Sequence, residues 1–553
     1  MAYSFCGVGF YAGPDPVFFE ADMDQAQPSQ VSLEIKNVLF IMCDQLRADH
    51  LSCYAPGGAL KTPNLDRLAA MGVRFDRAYV NSAVCGPSRA SYYTGRYPLS
   101  HRVTWNRVPH PIDELYLGDY LAQSGRECHL LGKTHHVPDP AGANARRFQV
   151  QPEAAERFWQ GGFTAIERYD GHFEMGPDSE YRQYLQAQGY DSERPWEDYV
   201  IGSQDAQGQF ASGWYMRNAS LPARVQAQDS ETAYFTQRAM DFITAKGEEP
   251  WALHLSFIKP HWPYKAPAPY HDRFGAEDAC TPLRAEHERQ NAHPVHAAYQ
   301  QHEESLSFAQ DEVWRTIKPV YMGLVQQIDD EVGRLLDMLE QQDRLKDTLI
   351  IFSSDHGDLL GDHWLGEKEY FFENAIRVPL IVVDPRTSAN VTRGQSSDAF
   401  VECVDVTPTI LDALHLPAQE HRVEGRSLIP LLHGQSDWAR EYTVASLDYA
   451  YREARQILGR GVDECRGLML RDSDYKYIHW QGYRPQLFDL KQDPDELHDL
   501  GADPAYAAVC RRMKEGLLDW HDTLKGRASE SWAAVEDRTN AHERMMNILI
   551  GRW

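Results

Sequence analysis

The chain has 553 residues, 55 Lys and Arg against 81 Asp and Glu, and a formal net charge of −26 at pH 7. That charge argues against nucleic acid and anionic membrane as partners, because long-range repulsion opposes approach, while a local cationic pocket can still hold a small anion. A hydrophobic content of 42% with 13 Trp, 28 Tyr and 21 Phe excludes a disordered chain. The length suits more than one domain.

The first 33 residues read as an N-terminal extension. They lack a basic leader and are interrupted by Gly, Pro and acids, so they make a poor signal peptide. Nine scattered cysteines without a closely spaced pair fit a reducing compartment, and no apolar run reaches membrane-spanning length. The expectation is a cytoplasmic protein, with homo-oligomerisation left open.

"KNVLFIMCD", 36–44, is a short apolar run ending in an acid, the pattern of a buried strand that delivers Asp44 at its C-terminal end. "TPNLDRLAAMG", 62–72, predicts a helix with Thr62 as cap, Pro63 in the first turn and Gly72 as stop. "VRFDRAYV" returns to strand character, as do "CHLLGKTHH" at 128–136 and "PWALHLSFIKPHWPY" at 250–264. The polar, His-rich stretch 265–316 reads as a substrate-side insertion or a pair of helices. Residues 320–342 carry Leu324, Ile328, Val332, Leu335 and Leu339 at helical spacing, and "TLIIFSSDHGD", 348–358, repeats the theme of an apolar strand ending in an acid. Strands alternating with helices predict an α/β fold with a site along the C-terminal sheet edge. "RGLMLRDSDYKYIHWQGYRPQLFDL", 466–490, alternates like an antiparallel sheet, and 503–527 is helical in pattern. The expected division is an extension at 1–33, a catalytic domain at 34–439 and a smaller α+β domain at 440–553.

Asp44 and Gln45 at one strand end, and Asp355 and His356 at another, could all ligate a divalent cation; the oxygens suit calcium, and the imidazole leans toward manganese or zinc. The plain alternative is that His356 packs and Asp355 caps the next helix. In "VCGPSRASYYTGR", 84–96, Cys85 could be a packed thiol, a thiolate nucleophile, half of a disulfide or a precursor. Arg89 in a first helical turn opposes the helix dipole, which asks for an anion or carboxylate nearby. A soft thiolate beside hard oxygen ligands is a chemical mismatch.

Cys85-Gly86-Pro87-Ser88-Arg89 with Gly95 resembles the signature of the type I sulfatases of the alkaline phosphatase superfamily. "TPNLDRLAAMGVRF", "LGKTHH", "KPHWPY", "SSDHGDLLGDHWLGEKEYFFENAIRVPLIV", "VDVTPTILDALHLP", "GRSLIPLLHG" and "LFDLKQDPDELHDL" extend the likeness over about 34–500. The resemblance implies an alkaline-phosphatase-like central mixed sheet flanked by helices. It implies that a maturation enzyme oxidises Cys85 to formylglycine, and that Asp44, Gln45, Asp355, His356 and modified Cys85 hold one Ca2+ or Mn2+. It gives Arg89 and Lys133 the task of neutralising substrate oxygens, makes His135 the base of the second half-reaction, and sets His261 and Lys368 at the leaving group. Gln45, His356 and Asn106, the last a substrate-binding residue, resemble the phosphonate monoester hydrolases; Lys133 and His135 follow the sulfatase pattern. The expected activity is hydrolysis of small anionic sulfate esters of the aryl sulfate type, with promiscuity toward phosphonate monoesters and phosphodiesters, the last two being the alternative main activity. An inactive scaffold would be expected to lack Cys85, Lys133 or a metal acid, and all are present. Trp105, Trp262, Tyr264 and Trp364 are candidates for an aromatic wall.

Overall fold

A computed structural model describes residues 34–549 apart from 149, 151, 172–175, 177, 436, 542, 543, 546 and 548. The extension expected at 1–33 lies outside the described residues. Fourteen strands are present among them: β1 (Asn37–Asp44), β2 (Val73–Tyr79), β3 (Cys128–Gly132), β4 (Thr164–Arg168), β5 (Gly202–Gln204), β6 (Phe210–Ser212), β7 (Ala252–Pro260), β8 (Thr348–Ser354), β9 (Leu380–Val383), β10 (Gln395–Glu402), β11 (Thr443–Asp448), β12 (Arg466–Arg471), β13 (Tyr475–Trp480) and β14 (Gln486–Asp489). Eight form one mixed sheet in the order β10-β2-β9-β8-β1-β7-β3-β4, in which β9 runs antiparallel to both neighbours and the other pairings are parallel. β5 and β6 make a separate small hairpin.

The continuous apolar run of β1 follows from its place at the centre, with both faces covered. Val38, Phe40 and Met42 join one core, while Leu39, Ile41 and Cys43 join the other, as the two-residue period of a strand requires. Helices α1 (Pro63–Met71), α2 (Cys85–Thr94), α3 (Glu231–Lys246), α4 (Asp311–Gln341) and α5 (Ala507–Asp522) are the elements that matter below.

Three local expectations are corrected. Thr62 precedes α1, but its hydroxyl bonds Ser52; the free N–H groups of Asn64 and Leu65 go to the Asp329 carboxylate on α4. Helix α4 begins at Asp311, well before Val320, and carries Pro319 inside it. The stretch 265–316 holds a 3-10 turn, Tyr270–Asp272, three short α-helices, His287–Gln290, Pro294–Tyr299 and Glu303–Phe308, and then the first turns of α4.

Strands β11 to β14 form the second, antiparallel sheet. Its Leu470, Tyr477 and Leu487 pack with Met513, Leu517 and Trp520 of α5. The buried Lys476 fastens this sheet to the first unit, donating to Phe371 O at 2.8 Å and pairing with Glu373 at 2.9 Å. No helix among the described residues is long and apolar enough to cross a membrane.

Candidate active site

Strand register assembles the site. Cys43 lies opposite Ser354 and Asp44 opposite Pro260, so the residues that follow β1, β8 and β7 emerge side by side. Gly132 pairs with Ser256, which brings Lys133 to the same edge. Gln45 turns away from the strand at φ +69°, its N–H donating to Asp355 Oδ1 at 3.1 Å and its carbonyl accepting from Tyr321 of α4 at 2.7 Å. Its side-chain Nε2 donates to Asp358 Oδ2 at 2.6 Å, and Tyr264 donates to the same oxygen at 2.7 Å. This leaves Gln45 Oε1 facing Lys368 Nζ, which donates to it at 3.0 Å.

Asp44, Cys85, Asp355 and His356 are fully buried and offer ligand atoms within 4.8 Å of one another. His356 Nδ1–H donates to Gly357 O at 2.8 Å, which orients the ring so that Nε2 faces the cluster. Burial and then Asp44 push the Asp355 carboxyl up. Burial would lower His356, but Asp355 and Cys85 raise it to about 9. This concentration of buried acceptors and negative charge fits a divalent cation.

Cys85 opens α2, and its Sγ lies 3.1 Å from His356 Nε2 and 3.9 Å from Asp44 Oδ1. Burial would raise the thiol, yet Lys368, Lys133 and His356, with a hydrogen bond from His135, hold it well below the usual range. The eight described cysteines are all free, which removes the disulfide reading for Cys85. Asn106 accepts the Gly86 N–H at 2.8 Å through Oδ1, so its NH2 remains a donor beside residue 85.

Arg89 is wholly buried. It donates to Asp355 at 2.7 Å, Asp44 at 3.1 Å, Lys133 O at 2.9 Å and Ser256 Oγ at 2.8 Å. Because α2 begins at Cys85, Arg89 is its fifth residue and lies past the first turn in which the sequence had put it, so its charge is answered by the two carboxylates and not set by the helix dipole, and those contacts aim it at the acids in place of substrate oxygens. Lys133 Nζ stands 2.5 Å from Asp44 Oδ2 but has no aligned hydrogen-bond acceptor, and the buried Nδ1 of His135 has no partner either. Burial and the Cys85 charge oppose ionisation of Asp44, but Lys133, His261 and Arg89 keep it well below the carboxylate range.

His261 Nδ1–H donates to Trp262 O at 2.6 Å, and its Nε2 accepts from Lys368 at 2.8 Å. Burial, then Lys368, lowers His261 to about 3, so this pair rests as neutral imidazole and ammonium. Lys368 is buried between Gln45 and His261 and is no solvated partner of Glu369 or Glu373.

Sequence reasoning missed three supporting residues. Asp358 orients Gln45. Lys259 secures the His261 loop by donating to Pro263 O at 3.0 Å. Asp170 accepts the N–H groups of Thr134 and His135, both at 2.9 Å, and holds His135 at φ +55°. Asp358 stood inside the quoted "SSDHGD"; Asp170 is far along the chain and gave no local signal. The aromatic wall also changes. Tyr264 is buried on Asp358, and Trp364 bonds Ala285 O between Arg284 and Arg289, so neither faces the cluster. Trp262 packs on His261 and Trp214, and Trp105 stacks on Tyr451.

A mixed sheet with buried carboxylates, imidazole and cations converging at its C-terminal edge is the architecture of the alkaline-phosphatase-like ester hydrolases. The sulfatase family model matches residues 36–416, and a model of the N-sulphoglucosamine sulphohydrolase C-terminal region matches 361–523. The chain belongs to the sulfatase family. It is similar to the multifunctional alkaline phosphatase superfamily protein PehA of Trinickia caryophylli, at 35% identity over 88% of this chain and 95% of that one. An arylsulfatase of Clostridium perfringens is 26% identical over 89% and 97% of the two chains. The solved phosphonate monoester hydrolase of Silicibacter pomeroyi superposes with a TM-score of 0.78 at 28% identity, covering 89% of this chain and 96% of that one.

Proposed function

We propose that the chain hydrolyses monoanionic esters, phosphonate monoesters and phosphodiesters ahead of aryl sulfates, using a divalent cation and a formylglycine made from Cys85. The observation that carries this reading is the placement of residue 85. It sits where Asp44, Asp355 and His356 converge, and beside it Lys133 Nζ and His135 Nδ1 are buried with no hydrogen-bond partner. Lys133 is paired by charge with Asp44 but has donor capacity left over, and a buried imidazole nitrogen with no partner is expensive unless a ligand answers it.

Asp44, Gln45 Oε1, Asp355 and His356 Nε2 would hold the cation, which supplies Lewis acidity and a lowered pKa for a bound hydroxyl. A formylglycine at residue 85 would supply, as its hydrate, two hydroxyls on one carbon, the one a nucleophile toward phosphorus or sulfur and the other an acidic group whose ionisation favours release of the oxyanion. Arg89 clamps the two carboxylates. Lys133 and the Asn106 amide meet the non-bridging oxygens of the ester. His135 takes the proton of the second hydroxyl. At the leaving oxygen, Lys368 is the charged donor, and the neutral His261 holds it and can relay its proton.

The preference for phosphorus esters rests on the likeness to PehA and the phosphonate monoester hydrolase fold, together with Gln45, His356 and Asn106. The second reading, aryl sulfates as the main substrates, is favoured by Lys133 and His135. Metal-replete, matured protein should be compared on 4-nitrophenyl phenylphosphonate, bis(4-nitrophenyl) phosphate and 4-nitrophenyl sulfate. The phosphonate ester should have the highest kcat/KM. A sulfate rate above both others reverses the order, and no turnover of any of the three refutes the proposal. The maturation enzyme that oxidises Cys85 is the protein partner this reading requires.

A further inference from the structure

Tyr451 is a large aromatic residue that is 60% exposed, yet it is held on both sides. Its ring lies nearly parallel to that of Trp105, with centroids 5.7 Å apart and planes inclined by 9°, an offset stack. Trp105 immediately precedes Asn106, whose side chain bonds the residue after Cys85. On the other side the Arg452 side chain ties the 449–454 segment to Glu369 beside Lys368, and the segment's backbone is held by His302. Arg452 Nε pairs with Glu369 Oε2 at 2.6 Å, and its guanidinium also contacts Glu304 and His302. Ala454 N–H donates to His302 Nε2 at 2.9 Å. Glu369 adjoins Lys368, whose ammonium lies between Gln45 and His261.

The segment that follows β11 therefore spans from the Asn106 side of the cluster to the Lys368 side, with one ring face of Tyr451 on Trp105 and much of the remainder open. We infer that Tyr451 is a specificity-determining residue, and that its ring, braced by Trp105, receives the aryl group of the ester's leaving alcohol. The inference rests on the proposed ester hydrolysis and adds to it a contact from the second sheet. An aromatic leaving group fits because it offers a flat π-face for the exposed surface of an already ordered ring, so little side-chain freedom is lost on binding. A ring whose only task was to cover Trp105 would not distinguish between substrates.

The test compares Tyr451→Leu and Tyr451→Phe with the unaltered protein on two methylphosphonate esters, one with a 4-nitrophenyl and one with a 2,2,2-trifluoroethyl leaving group. Tyr451→Leu should raise KM for the aryl ester about 5- to 10-fold, the scale of one lost aromatic contact. It should leave kcat for that ester and both constants for the alkyl ester unchanged, and Tyr451→Phe should behave as the parent. Equal effects on the two esters, or no change in KM for the aryl ester, overturn the inference. If the unaltered protein turns over neither of these esters nor any of the three named above, the hydrolase reading fails, and binding of 4-nitrophenol by equilibrium dialysis still decides the role of Tyr451. Weaker binding to Tyr451→Leu supports the aryl contact, and equal binding refutes it.

Discussion

Asp170→Asn removes a charge while keeping the side-chain shape, and it tests whether the His135 turn is held by electrostatics. In the folded chain burial would raise the Asp170 carboxyl, but Arg168 and the amide hydrogen bonds bring it from 3.8 down to about 2. That difference corresponds to about 2 kcal/mol of stability contributed by the ionised carboxylate. Because the folded pKa is depressed, the contribution is complete above the unfolded value and fades as pH falls toward 2; about half is gone by pH 3. Spread over a chain of this length, 2 kcal/mol is a Tm loss of roughly 2 °C. Calorimetry should therefore show Asp170→Asn melting lower at neutral pH, with a smaller deficit at pH 3. His135 sits at φ +55°, a conformation a non-glycine residue keeps only when its surroundings impose it. Once the turn relaxes, a displacement of about 1 Å at His135 should lower kcat by on the order of 10²-fold. An unchanged Tm at neutral pH, a deficit that does not shrink on acidification, or an unchanged kcat would each refute the reasoning.

The two histidines should separate kinetically. His135→Ala should give a burst of leaving group equal to the active-site concentration followed by slow turnover, whereas His261→Ala should show no burst and a penalty that grows with leaving-group basicity; stopped-flow traces on an ester series decide, and the reversed pattern exchanges the roles. Asp44→Asn and Asp355→Asn should each abolish tight binding of one divalent cation per chain, read by elemental analysis after dialysis, and retention of the ion would displace the site from the cluster. Asp358→Asn should weaken the same ion about 10- to 100-fold, since the Gln45 amide loses its anionic anchor; unchanged metal affinity would remove Asp358 from the site's support.

The centre of the fold was legible because it is written locally. An apolar run ending in Asp44 and another ending in Asp355 and His356 read as buried strands delivering polar groups to one edge, and β1 and β8 are that. The candidate metal ligands, residue 85 and Lys133, His261 and Lys368 around it all lie in contiguous motifs, and the structure brings them together as a group. What the sequence hid was long-range. Arg89 pointed to an anion from a first-turn placement that the structure does not give it, since α2 starts at Cys85, and which anion answered it depended on strand register: the two carboxylates. Asp329 capping α1, Asp170 fixing His135 and Tyr451 reaching Trp105 join residues far apart in the chain through tertiary packing, which no window of sequence contains.

The most direct measurement is the mass of the peptide containing residue 85, taken on preparations matured to different extents, alongside their specific activity. The account predicts that turnover of 4-nitrophenyl phenylphosphonate rises in proportion to the fraction carrying aldehyde and extrapolates to zero for the pure thiol. Full activity in protein whose residue 85 is entirely unmodified cysteine would contradict it.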